Sequence, residues 1–173
     1  LQGVINGGLA LKNGGEFYFF SILSNRVGNS TGFYRMPYQS SNIPAIYPNG
    51  FLPEINTDIT DISNTIGVTG KLGQWNFDLS NTFGQNIFDF NITQSVNYTQ
   101  AFQTPNFQTE FDAGGLNFLQ NTINFDAAKK YDILSGLNVA AGAEFRVEQF
   151  GVRAGEEASY RNFDTNAGVP AGS

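Results

Sequence analysis

The side chains most able to do chemistry lie in two stretches. In the first, Tyr34, Arg35, Tyr38 and Tyr47 are interspersed with Pro37, Pro44, Pro48 and Pro53. Prolines fix φ and stiffen a segment, and rings with a cation on a stiff loop form a surface on which a ligand can stack. These four residues are the candidate ligand contacts; the competing reading is that they pack the loop against itself. In the second stretch, Glu144, Arg146 and Glu148 recur at i, i+2 and i+4, which puts alternating charge on one face of a strand. In a barrel this row would line the lumen, either pairing with a domain inside it or closing on itself as an ion network.

Catalytic chemistry finds little support. The chain has no Cys and no His, so disulfides, Cys-based zinc sites and the usual hydrolase triads are excluded, along with the commonest general base. Glu156 and Glu157 are sequence neighbours in an expected loop, with nothing to hold them about 5–10 Å apart across a cleft as a glycosidase requires. Glu54, Asp58 and Asp61 are oxygen donors without the spacing of a calcium loop. The reading is a non-enzyme with no cofactor and no metal.

Charge and composition narrow the class further. A net charge of -6 with nine scattered Lys and Arg argues against nucleic acid, which needs clustered cations. Charged residues make up 14% of the chain, against about 25% in soluble domains, so this surface is poorly suited to water on all sides. No apolar run reaches the roughly 18 residues of a membrane helix. Barrel strands escape that test because only every second residue is apolar.

Period-two alternation is the strongest local pattern. In 137–147 the odd residues Leu137, Val139, Ala141, Ala143, Phe145 and Val147 are all apolar, while the even set carries Asn138, Glu144 and Arg146. Trp75, Phe77, Leu79 and Phe83 alternate with polar residues, as do Ile62, Ile66, Val68 and Leu72; Asn81 and Asn64 each interrupt an apolar row. Leu119, Ile123 and Phe125 alternate more weakly. The segment 16–26 shows no clean alternation and is a strand by β-propensity. Strands are expected over 2–12, 16–26, 62–72, 75–85, 116–126 and 136–148, each near the ~9–11 residues that cross a bilayer. Short connections at Asn13-Gly14-Gly15, Gly73-Gln74 and 127–135 alternate with long ones at 27–61, 86–115 and 149–173, matching periplasmic turns and extracellular loops. Phe17, Tyr18, Phe19, Phe20, Trp75 and Tyr131 fall near the short turns, where an aromatic girdle belongs.

The phrases FYRMP (33–37), YPNGFLPEI (47–55), DISNTIGVTGKLGQWNFDLSNTFGQNIFDF (61–90) and AAGAEFRVEQFGVRAGEEASY (140–160) resemble the barrel portion of TonB-dependent outer-membrane receptors of the Bacteroidetes and Proteobacteria type. The resemblance implies a bacterial outer-membrane location and a barrel of about 22 strands around a plug domain. It also implies active import of a scarce nutrient (siderophore, cobalamin, oligosaccharide or peptide) powered through TonB. Expected partners are outer-membrane lipid, the receptor's own plug, TonB and the nutrient, with no nucleic acid. The expected fold class is all-β, an antiparallel transmembrane β-barrel segment of about six strands. Plug, TonB box, signal peptide and a closing aromatic strand at Gly172-Ser173 are not recognisable, so the chain reads as one arc of a longer protein. The alternatives are a passive porin segment and a soluble β-sandwich binding module, which would bury its apolar faces against each other at ~10 Å spacing.

Overall fold

The computed structural model describes residues 1–12, 14–102, 107–133 and 135–164. The protein is all-β: six strands form one antiparallel sheet in chain order, so each strand neighbours those before and after it. The strands are β1 (Gln2–Ala10), β2 (Glu16–Thr31), β3 (Glu54–Leu72), β4 (Trp75–Thr93), β5 (Phe111–Tyr131) and β6 (Leu137–Arg153). A 3-10 helix (Tyr98–Phe102) and a four-residue helix α1 (Glu157–Tyr160) are the remaining regular elements among the described residues.

Each expected strand has a counterpart, and five of the six outrun their expected ends. β2 continues to Thr31, β3 begins at Glu54, β4 reaches Thr93, β5 begins at Phe111, and β6 reaches Arg153. The added residues do not continue the apolar rows: Ile55, Ile59, Phe88, Phe90, Phe150 and Val152 fall at positions of the opposite parity, and 27–31 and 111–115 are too short to show a period. Cross-strand side-chain bonds hold them instead: Asn29 Nδ2 donates to Asn56 Oδ1 (2.7 Å), and Asn56 Nδ2 to Thr93 Oγ1 (2.8 Å). The long loops therefore shrink to 32–53 and 94–110. The third connection is also shorter than 127–135, because β5 runs on to Tyr131, with Lys129 Nζ 4.3 Å from the Tyr131 ring centroid. Positive φ values at Ser135 (68°) and Gly136 (109°) then turn the chain. Asn13 in the first turn, Leu134 in the third, 103–106, and the segment 165–173 with Gly172-Ser173 lie outside the described residues.

The chain divides into two compact units. The first comprises Leu1–Asn25, Thr60–Asn86 and Phe118–Phe150. Register and side-chain bonds fix which residues share its faces. Leu9 pairs with Phe17, Gly7 with Phe19, Ile5 with Ser21 and Gly3 with Leu23. Ser21 Oγ donates to Asn64 Oδ1 (2.7 Å), tying that row to the even residues of β3. A Cβ on Gly70 would meet the Phe77 ring, which joins the odd residues of β4; Asn81 meets Asn121, which joins the odd residues of β5. One face of this unit thus collects Leu9, Phe17, Phe19, Ile66, Val68, Trp75, Phe77, Leu79, Phe83, Leu119, Ile123 and Phe125. On β6 the row Leu137–Val147 is likewise exposed throughout.

None of these apolar side chains is buried. Among the described residues the only buried large apolar side chains are Phe51 and Phe111, both in the second unit, whereas Leu72 is 77% exposed and Phe145 65%. A soluble chain of this length would bury most of its large apolar residues.

The expected girdle splits between faces because alternation overrides clustering. Phe17 and Phe19 join the apolar row, while Tyr18 pairs with Gly8 on the opposite face and donates to Asp78 Oδ1 (2.9 Å). Phe20 lies on that same face, opposite Asn6.

Candidate functional site

The second unit comprises Arg26–Ile59, Ile87–Asn117 and the chain from Gly151 onward, and it contains most of the irregular structure among the described residues. Its first irregular segment, 32–53, is folded on itself. Arg35 and Phe51 form a two-way backbone bridge, with N–H to carbonyl distances of 2.7 and 3.0 Å. The Tyr34 hydroxyl donates to the Asn49 carbonyl. Tyr47 stacks on Phe51 with centroids 4.7 Å apart, and burial raises its phenol pKa. Buried Asn42 donates from Nδ2 to the carbonyls of Pro37 (3.0 Å) and Tyr47 (3.1 Å).

Of the four expected ligand contacts, Tyr34 and Tyr47 are thus used inside the loop. Arg35 gives its backbone to the bridge and has an exposed side chain; Tyr38 is 85% exposed. The structure brings Tyr34, Arg35 and Tyr47 together around Phe51 as a packing knot, which is the competing reading of that segment.

In the first unit, Arg146 Nη2 lies 2.7 Å from Glu144 Oε1 and Nη1 lies 3.7 Å from Glu148 Oε1. The row forms an ion triplet. About half of each side chain is exposed, so it contributes little stability. Glu54 and Asp61 are engaged by amides: Asn29 Nδ2 donates to Glu54 (3.3 Å) and Asn86 Nδ2 to Asp61 (2.7 Å). Among the described residues no group of three or more His, Cys, Asp or Glu could hold a metal ion.

A concavity not expected from the sequence lies in the second unit, between 92–99 and 159–164, with a cavity volume of about 520 Å³. Its lining includes Ser95, Asn97, Tyr98, Ser159, Tyr160 and Asn162. Side-chain to backbone bonds set the two walls. Asn97 Nδ2 donates to the carbonyls of Ala158 (2.9 Å) and Arg161 (2.8 Å), and Thr99 Oγ1 accepts from Phe163 N–H (3.1 Å). Glu156 anchors the approach to α1: its Oε1 accepts from Gln108 Nε2 (2.6 Å) and from Asp112 N–H (2.9 Å), and its own N–H donates to the Asp112 carbonyl (2.9 Å).

Arg153 fixes the end of β6. Its guanidinium makes a fork to Asp112 (2.6 and 3.1 Å) and reaches Asp89 at 2.9 Å. Arg153 and the Gly114 N–H hold the Asp112 carboxyl below the ordinary carboxylate range, and the two carboxylates raise the Arg153 pKa. Gly114, at φ +92°, leaves no room for a side chain: a Cβ there would lie 2.4 Å from the Arg153 carbonyl oxygen. Sequence reasoning missed this cleft because its walls are about 60 residues apart.

No protein family, curated protein or solved structure matches this chain.

Proposed function

We propose that this chain is an arc of a bacterial outer-membrane β-barrel of the TonB-dependent receptor type, serving nutrient import. One observation carries the reading: one face of the first unit collects twelve large apolar side chains, none of which is buried. Apolar rows spanning nine residues in β4 (75–83) and eleven in β3 (62–72) and β6 (137–147) extend about 26–33 Å along a strand, or about 20–25 Å of height at a barrel strand's tilt. That approaches the ~25 Å apolar band of outer-membrane barrels. A soluble sandwich would need a second apolar sheet over this face, and none is present among the described residues. No helix among them is long and apolar enough to cross a membrane, which leaves crossing by strands open.

The polar interruptions also suit lipid. Asn64 is bonded to Ser21, and Asn81 to Asn121, so each amide within the apolar rows has a side-chain partner. β1 and β6 are the edges of the sheet. Because unpaired backbone groups are costly in hydrocarbon, this reading requires further strands against both edges. The receptor assignment, with its plug and TonB partners, rests on the sequence phrases at 33–37, 47–55, 61–90 and 140–160. It is tested by peptide mapping of the intact protein from detergent-solubilised outer membranes: plug peptides preceding Leu1 are expected, and a chain soluble without detergent would overturn the reading.

A further inference from the structure

We infer that the cleft between 92–99 and 159–164 is a binding site for an uncharged, hydroxyl-rich ligand, a neutral oligosaccharide. The inference deepens the import reading and relies on it only for placing the cleft outside the cell.

The walls are built before any ligand arrives. Three bonds, from Asn97 to Ala158 and Arg161 and from Phe163 to Thr99, join segments about 60 residues apart. Glu156 and Arg153 pin the same stretch to Asp112. A site held this way loses little entropy when it binds, and its volume lies within the range of small-ligand clefts.

The lining selects the chemistry. Tyr98 and Tyr160, about half exposed, present rings from opposite walls. A sugar's C–H face stacks on such rings, while the Ser95 hydroxyl and the Asn162 amide nitrogen supply neutral hydrogen-bonding groups and Ser159 Oγ, which donates to the Glu156 carbonyl at 2.7 Å, keeps acceptor capacity. An anionic ligand would need a cation. The lining holds one, Arg161, which is committed to Glu157 at 2.6 Å and sits 5.4 Å from the Phe163 ring centroid, and Asp164 adds negative charge. Iron chelates bearing carboxylates, and phosphates, are therefore disfavoured relative to neutral sugars.

The test uses the intact protein in detergent on an array of immobilised neutral oligosaccharides, with ferric citrate and inorganic phosphate as anionic probes. Capture of a neutral oligosaccharide is expected, weakened about tenfold or more by Tyr98→Ala and by Tyr160→Ala, and kept within about threefold by Tyr98→Phe and Tyr160→Phe. The Phe variants keep the ring and separate stacking from misfolding. The inference is overturned if no neutral oligosaccharide is captured, if the Ala variants bind as well as the parent, or if ferric citrate or phosphate competes at this cleft. Detergent dependence is scored separately: a protein that needs detergent but captures no sugar sinks the cleft assignment and leaves the barrel standing.

Discussion

Asn81 and Asn121 face each other across β4 and β5 as a reciprocal amide pair, with Asn81 Nδ2 2.9 Å from Asn121 Oδ1 and Asn121 Nδ2 3.3 Å from Asn81 Oδ1. Their rows are otherwise apolar, so each amide depends on the other, apart from a 3.2 Å bond from Asn81 to the Thr122 carbonyl. A double-mutant cycle with Asn81→Leu and Asn121→Leu in lipid vesicles should give a coupling of about 1 kcal/mol. Each single variant should be less stable than the double variant, since it strands one amide. Additive effects in urea unfolding would remove this pair from the account.

The exposed apolar face sets a second expectation. Leu79→Arg, in the apolar row of β4, should cost about 2–4 kcal/mol of folding stability in vesicles, the penalty of a cation near the bilayer midplane. Asn91→Arg, on the same strand but in the second unit, should change stability by no more than about 0.5 kcal/mol. Equal costs would mean that the first unit's face does not meet hydrocarbon.

Gly50 tests whether 32–53 is a packed knot. At φ +84° its Cβ would lie 2.2 Å from the Arg35 carbonyl oxygen, so Gly50→Ala combines left-handed strain with a backbone clash. A local loss on the order of 1–2 kcal/mol is expected, read as faster amide exchange at Arg35 and Phe51 while β3 stays protected. Unchanged exchange at those two amides would mean that the Arg35–Phe51 bridge does not hold the segment.

Asp112 provides a pH signature outside the apolar belt. Its folded pKa is lowered, so its contribution to stability is fully present above the ordinary carboxylate value and is lost as pH falls through the lowered one. The carboxyl carbon shift of Asp112 should titrate below the ordinary range, and Arg153→Gln should move its midpoint upward. A midpoint indifferent to Arg153 would dissolve the clamp.

The alternation of β3, β4 and β6 was legible because hydrophobicity itself marks the buried or lipid-facing side. It changed phase at 54–61, 86–93 and 149–153, where Ile55, Ile59, Phe88, Phe90, Phe150 and Val152 take the opposite parity, and was too short to read at 27–31 and 111–115; pairs such as Asn29 with Asn56 hold these extensions, and no local period records them. In β2 the run Phe17–Phe20 hid the alternation, since every residue is aromatic, and only pairing with β1 shows that Phe17 and Phe19 part from Tyr18 and Phe20. The Glu144, Arg146 and Glu148 row was legible as a strand face, and its closure into an ion triplet was one of the two readings weighed. At 34–47 ligand contact and loop packing were both legible from the residue types, and the pairing of Tyr34 with Asn49 and of Tyr47 with Phe51 was not, since neither partner is marked by a local period. The cleft at Tyr98 and Tyr160 could not be read, because it depends on Asn97 reaching a segment about 60 residues away.

The most direct test places nitroxide labels on single cysteines in this Cys-free chain at Leu79, Ser80 and Asp89, in the intact protein reconstituted in vesicles. The account predicts that the label at 79 is relaxed strongly by oxygen and weakly by a water-soluble nickel chelate, with the opposite order at 80 and 89. A label at 79 that favours the nickel chelate would place the first unit's apolar face in water, against the central claim.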